Sequence, residues 1–176
     1  DAGNNQVICP GGSAKIGSRS VFLTTYQWSP TAGLDNPTSS NPTASPTKTT
    51  TYTVVVTQSG CSDSARVTVE VQPIPTAHAG DDDTLCLSSS IQIGEAATAG
   101  YSYLWTPPDG LNDRSLSNPI ATPTQTTTYS VQVMTSAGCV NYDTVTLTIA
   151  NQVKAQVSAD TAVCIGGSVR ISASGG

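Results

Sequence analysis

The residues with most chemistry to offer in this 176-residue chain are five cysteines, at positions 9, 61, 86, 139 and 164. Thiolates bind metals, attack electrophiles or oxidise to bridges, and spacing separates these uses. No two cysteines stand two to four residues apart, and the one histidine, His78, lies eight residues before Cys86, so a zinc site lacks its ligand spacing. Nucleophilic catalysis lacks its base: a lone His, no recognisable Ser, His and Asp context and no phosphate-binding glycine loop argue against an enzyme. Oxidation to disulfides remains, and the spacing is regular. Cys9 and Cys86 are 77 residues apart, Cys61 and Cys139 78. Equal placement predicts bridges Cys9–Cys61 and Cys86–Cys139, each stapling one end of a folding unit, with Cys164 unpaired in this segment.

A second group with coordinating power is the run Asp81, Asp82, Asp83, whose hard oxygens suit calcium. The competing reading is a solvated acidic turn, favoured because the matching stretch near the start reads Gly3, Asn4, Asn5, Gln6. No cofactor is expected, and His78 is read as a linker residue.

These residues ride on a repeat. "PTKTTTYTVVV" at 46–56 returns as "PTQTTTYSVQV" at 123–133, and Trp28 and Trp105, Tyr52 and Tyr129, and Gly33 and Gly110 all stand 77 apart. A fixed long period means tandem copies of one folding unit. Cys61 and Val67 match Cys139 and Val145 at 78, so one residue is added in a glycine-containing turn, where length changes are tolerated. "DTAVCIGGSVRIS" at 160–172 opens a third copy that lacks the Trp, Tyr and second Cys segments. The expected division is 1–72, 73–152 and an incomplete 153–176. The chain reads as a window on a longer array, a mature or internal segment of an exported protein.

Composition narrows the class. Only 11% of residues are charged and the net charge is −5, which disfavours nucleic acid as a partner. Hydrophobic runs are all short, so membrane insertion is not expected. β-branched residues alternate between turn formers at eight- to twelve-residue intervals, the pattern of an all-β sandwich. Tyr26 with Trp28, and Tyr101, Tyr103 and Trp105, fall on one face at period two; so do Tyr52, Val54 and Val56, and Tyr129, Val131 and Val133. Tyr26, Trp28, Tyr52, Tyr103, Trp105 and Tyr129 are therefore expected in the cores rather than as a sugar-stacking platform. Pro30 and Pro107 end the tryptophan strands, and Leu34 and Leu111 plug the polar stretches that follow.

This order resembles an immunoglobulin-like sandwich, with a core Trp on the third strand and Tyr52 and Tyr129 as tyrosine corners. It departs two residues after each Tyr, where Val54 and Val131 replace the antibody domain's second Cys. The phrases "YQWSPTAGLDN", "NPTASPTKTTTYTV", "YLWTPPDGLND", "NPIATPTQTTTYSV", "CPGGS", "CLSSS" and "CIGGS" resemble the PKD-like or immunoglobulin-like repeats of large Bacteroidota cell-surface proteins, including gliding-motility adhesins and other type IX secretion substrates. The resemblance covers the whole chain. It implies a secreted, extended, surface-attached string of β-sandwiches, and the favoured role is a structural segment of an adhesin or fibre that acts as a rigid, disulfide-stapled stalk, with further repeats of the same chain as partners. Surface glycans gripped by loops 31–45 and 108–122, or like chains in a laterally associated fibre, are the alternatives. It also implies that Asp, then Ser or Thr, then an apolar residue, is an O-glycosylation signal, making Ser64, Thr84, Thr144 and Thr161 the acceptors.

Overall fold

The computed structural model describes residues 1–150, 155–157, 162–165 and 168–175. Six strands occupy the first copy: β1 (Gln6–Ile8), β2 (Ala14–Lys15), β3 (Thr24–Ser29), β4 (Thr43–Ala44), β5 (Thr50–Gln58) and β6 (Cys61–Val71). Six occupy the second: β7 (Asp83–Leu85), β8 (Ile91–Gln92), β9 (Tyr101–Thr106), β10 (Ile120–Ala121), β11 (Thr127–Thr135) and β12 (Val140–Ile149). A short antiparallel pair, β13 (Ala155–Val157) and β14 (Ala173–Gly175), follows. The first copy pairs its strands as β1-β6-β5-β3 and β2-β4, and the second repeats this as β7-β12-β11-β9 and β10-β8. Each copy is a β-sandwich, and the described residues hold no helix.

Register follows the period-two pattern. Val54 lies opposite Trp28, and Val131 opposite Trp105, so the tryptophan and tyrosine strands of each unit turn their apolar residues to the same, core-facing side of one sheet. The two cores are separate clusters. One holds Ile16, Trp28, Tyr52, Val54, Val67 and Val69; the other holds Ile93, Trp105, Tyr129, Val131, Val145 and Leu147. Trp28, Tyr52, Trp105 and Tyr129 are buried, while Tyr26 and Tyr103 are half-buried at the core margins.

The added residue lies in the hairpin turn. β5 and β6 close at Gln58 opposite Cys61 through Ser59 and Gly60, both at positive φ (51° and 85°), as a two-residue primed turn demands. In the second copy, Thr135 N–H donates to the Cys139 carbonyl across three residues, Ser136 to Gly138, with Gly138 at φ 82°. Glycine is also required beside each tryptophan. Gly17 and Gly94 have φ of 83° and 77°, and a Cβ on either would stand 3.0 or 2.8 Å from Cζ2 of Trp28 or Trp105.

The first strand overturns the expected disulfides. β1 runs parallel to β6, with Ile8 beside Val71, so Cys9 sits where β6 ends, whereas Cys61 is where it begins. At about 3.3 Å per residue the 11-residue strand separates them by roughly 30 Å, far beyond bridging distance. The same holds in the second copy, where Leu85 pairs with Ile149 at the far end of β12 from Cys139. Neither Cys9–Cys61 nor Cys86–Cys139 forms. Cys9 instead bonds Cys139, with Cα atoms 5.4 Å apart and a sequence separation of 130, linking one copy to the next. Cys61, Cys86 and Cys164 are free and exposed.

Candidate functional site

Two features gather the residues singled out by the sequence: the junction between the copies and the two long loops. The junction is built from three pieces. Gln72 N–H donates to the Ile8 carbonyl (2.9 Å), holding the chain's exit from β6 against β1 and placing Cys9 there. The linker then runs along the start of β12: the Asn141 side-chain amide donates to the Pro75 carbonyl (2.9 Å) and Ala79 N–H to Asp143 Oδ2 (2.8 Å). Pro75 and Ala79 are buried, and Ala77 packs against the second core. Cys139, 1% exposed at the hairpin turn, completes the junction through its bond to Cys9. His78 lies outside it, exposed, with Nδ1 3.8 Å from Glu95 Oε1; such an exposed pair adds little.

The loops at 31–45 and 108–122 are tied down by the core aromatics. The Trp28 indole N–H donates to the Ser39 carbonyl and that of Trp105 to the Leu116 carbonyl, each at 2.9 Å. The Tyr52 hydroxyl donates to the Ala32 carbonyl at 2.9 Å and that of Tyr129 to the Asp109 carbonyl at 2.8 Å. Each tyrosine therefore anchors the start of the loop 20 residues upstream. Burial pushes both phenols above their ordinary pKa, joined at Tyr129 by the nearby Asp109 carboxylate. Within the loops, Asp35 Oδ1 accepts from Thr43 N–H (2.8 Å), and Asn112 Oδ1 from Ile120 N–H (2.8 Å). The Thr43 bond above all holds the Asp35 carboxyl below the usual range; Asp113 is lowered by the Ser115 hydroxyl and N–H. Tyr26 and Tyr103 accept from Val21 and Thr98 N–H, each at 2.9 Å, so their hydroxyls serve the preceding loop.

The acidic run is also occupied. Asp82 Oδ1 accepts from Thr146 N–H (2.7 Å) and Asp83 Oδ1 from Thr84 N–H (2.7 Å), and no group of three His, Cys, Asp or Glu among the described residues converges as metal ligands do. The equivalent of Asp82 is Asn5, whose Oδ1 accepts from Thr68 N–H (2.9 Å) in the same way. A neutral amide doing this work in the first copy identifies the role as capping an open backbone donor beside the short first strand.

Ser64, Thr84 and Thr144 are all exposed, and Thr161 lies outside the described residues. Ser64 lies opposite Val55 and Thr144 opposite Ser130, both facing away from the cores.

No family model matches the chain, and no curated protein matches it. Among solved structures, the I67–I69 fragment from the I-band of titin superposes with a TM-score of 0.54 at 11% identity, over 96% of this chain and 81% of that one. The extracellular domains 3–5 of Drosophila OTK superpose with a TM-score of 0.53 at 13% identity, over 84% of this chain and 60% of theirs. The chain thus spans about 60% of that fragment's length. At such identities the likeness concerns the fold, a tandem of immunoglobulin-like β-sandwiches, as the strand order of each copy requires.

Proposed function

We propose that the chain is a spacer: a segment of a secreted, surface-attached stalk or fibre in which immunoglobulin-like units are locked end to end. The observation that carries this reading is the Cys9–Cys139 bridge, placed beside a linker that is itself pinned at Pro75 and Ala79. A bond between consecutive units leaves each core intact and acts on their mutual orientation. A disulfide of this kind belongs to an oxidising compartment, which supports an extracellular setting. The resemblance of the phrases around Trp28 and Trp105 to repeats of Bacteroidota surface proteins supports a gliding-adhesin-type, type IX-secreted origin and sugars on Ser64, Thr84, Thr144 and Thr161.

Small-angle scattering of the chain with and without a reductant tests the spacer. Oxidised protein should scatter as one rigid particle, and Cys139→Ser should broaden the distance distribution while leaving circular dichroism unchanged. Identical profiles for the two forms would sink the locking role. Adhesion through loops 31–45 and 108–122 is the weaker reading, because Trp28, Tyr52, Trp105 and Tyr129 already use the polar groups there. Reproducible glycan-array binding that is lost when those loops are replaced would reinstate it.

A further inference from the structure

Positions that are covered at the head of the second unit are uncovered at the head of the first. In the second unit Val133, Thr135 and Cys139 are 2%, 7% and 1% exposed. Their equivalents, Val56, Gln58 and Cys61, are half-buried, exposed and exposed. Between them lies an open groove of about 340 Å³, lined among others by Asp1, Val21, Val56, Cys61, Asp63 and Ala65. Beside it the loop tip Val21, Phe22 and Leu23 is 57%, 83% and 75% exposed, an apolar surface where the second unit has Thr98, Ala99 and Gly100. In the second unit Pro75 and Ala77, arriving from the unit before, lie against this head, and the cysteine at its rim is bonded to that same unit.

Extending the tandem reading above, we propose that the groove rimmed by Cys61 is a docking face for a further unit of this same fold. That unit lays its exit segment, an extended apolar stretch of the Pro-Ile-Pro kind, along the groove and against Phe22. Its cysteine directly after the first strand then bonds Cys61, as Cys9 bonds Cys139. Two independent observations converge on one occupant: a groove whose equivalent is filled by a linker, and a thiol whose equivalent is bridged to that linker's unit. By the same logic Cys86, beside the end of β12 as Cys9 is beside the end of β6, is the donor to the head of a following unit. Each bond forms when two thiols give up two protons and two electrons to a small-molecule disulfide such as oxidised glutathione, which leaves as two thiols.

Two measurements test this. In the 176-residue chain under a glutathione redox buffer, peptide mapping without reduction should show Cys9–Cys139 and an alkylatable Cys61; a Cys61 already bonded within the chain overturns the proposal. The full chain is then extended by a second copy of its residues 1–77 placed ahead of Asp1, which keeps the linker in phase, with Cys61→Ser in the added copy. A Cys9–Cys61 peptide should appear beside the Cys9–Cys139 peptide. In a version whose added copy also carries Cys9→Ser, docking alone should slow alkylation of Cys61 at least tenfold. A Cys61 that stays as reactive as in the unextended chain overturns the proposal and leaves the spacer standing, since that reading depends on Cys9–Cys139. Absence of Cys9–Cys139 from the unextended chain would overturn both.

Discussion

At the scale of single residues, each tyrosine corner joins a core position to a loop. The Tyr129 hydroxyl reaches the Asp109 carbonyl from a fully buried ring, so Tyr129→Phe removes one hydrogen bond without opening a cavity. It should cost about 1–3 kcal/mol in urea unfolding, with Tyr52→Phe in the same range. The pH dependence has a definite sign. Burial raises both phenols, so their contribution is complete below the ordinary tyrosine pKa of 10.0 and is lost as pH rises through the higher folded values. Stability measured from pH 8 upward should fall in the alkaline limb, and the double Phe variant should lose much of that fall. An unchanged limb in the double variant would show that these phenols are not its source. These residues were legible in the sequence because Trp and Tyr recur on one face at period two. The partners of their polar atoms were not, since a carbonyl 20 residues upstream leaves no compositional trace.

At the scale of elements, the short first strand decides most of what the sequence left open. Its three residues carry too little pattern to reveal that it joins the last strand of its unit in parallel. That direction puts the cysteines of one unit at opposite ends, and equal placement within a repeat fits a bridge between units as well as one inside. The repeat itself, its tryptophan and tyrosine strands and the added turn residue were all readable, because each leaves a period or a matched phrase. The capping role of the acidic run was hidden for a related reason: it belongs to a strand edge that only the pairing exposes. Asp82→Asn should therefore change stability by less than about 0.5 kcal/mol, since Asn5 makes the same bond, whereas Asp82→Ala should cost about 1 kcal/mol. Melting with and without millimolar calcium should give one temperature. A calcium-dependent rise abolished by Asp82→Asn would show instead that the carboxylate binds the ion.

At the scale of the whole molecule, exposed hydroxyls at Ser64, Thr84 and Thr144 leave room for bulky modification without disturbing either core. Protein from its native host should exceed the bare sequence mass and lose part of the excess in Thr84→Ala and Thr144→Ala; an intact mass equal to the bare sequence would eliminate the sugars. The bridge between units has a mechanical consequence as well. Pulled from its two ends, the oxidised chain carries force from Asp1 to Cys9, across the sulfur–sulfur bond to Cys139, and onward. The 130-residue span between them is taken out of the load path. In a force spectrometer the oxidised chain should therefore withhold roughly 450 Å of contour length, at about 3.5 Å per extended residue, and release it only once a reductant is added. In a fibre built this way, only the stretches outside the bridge, β1 ahead of Cys9 and β12 beyond Cys139, are drawn out by a tug, and the rest of both units stays slack.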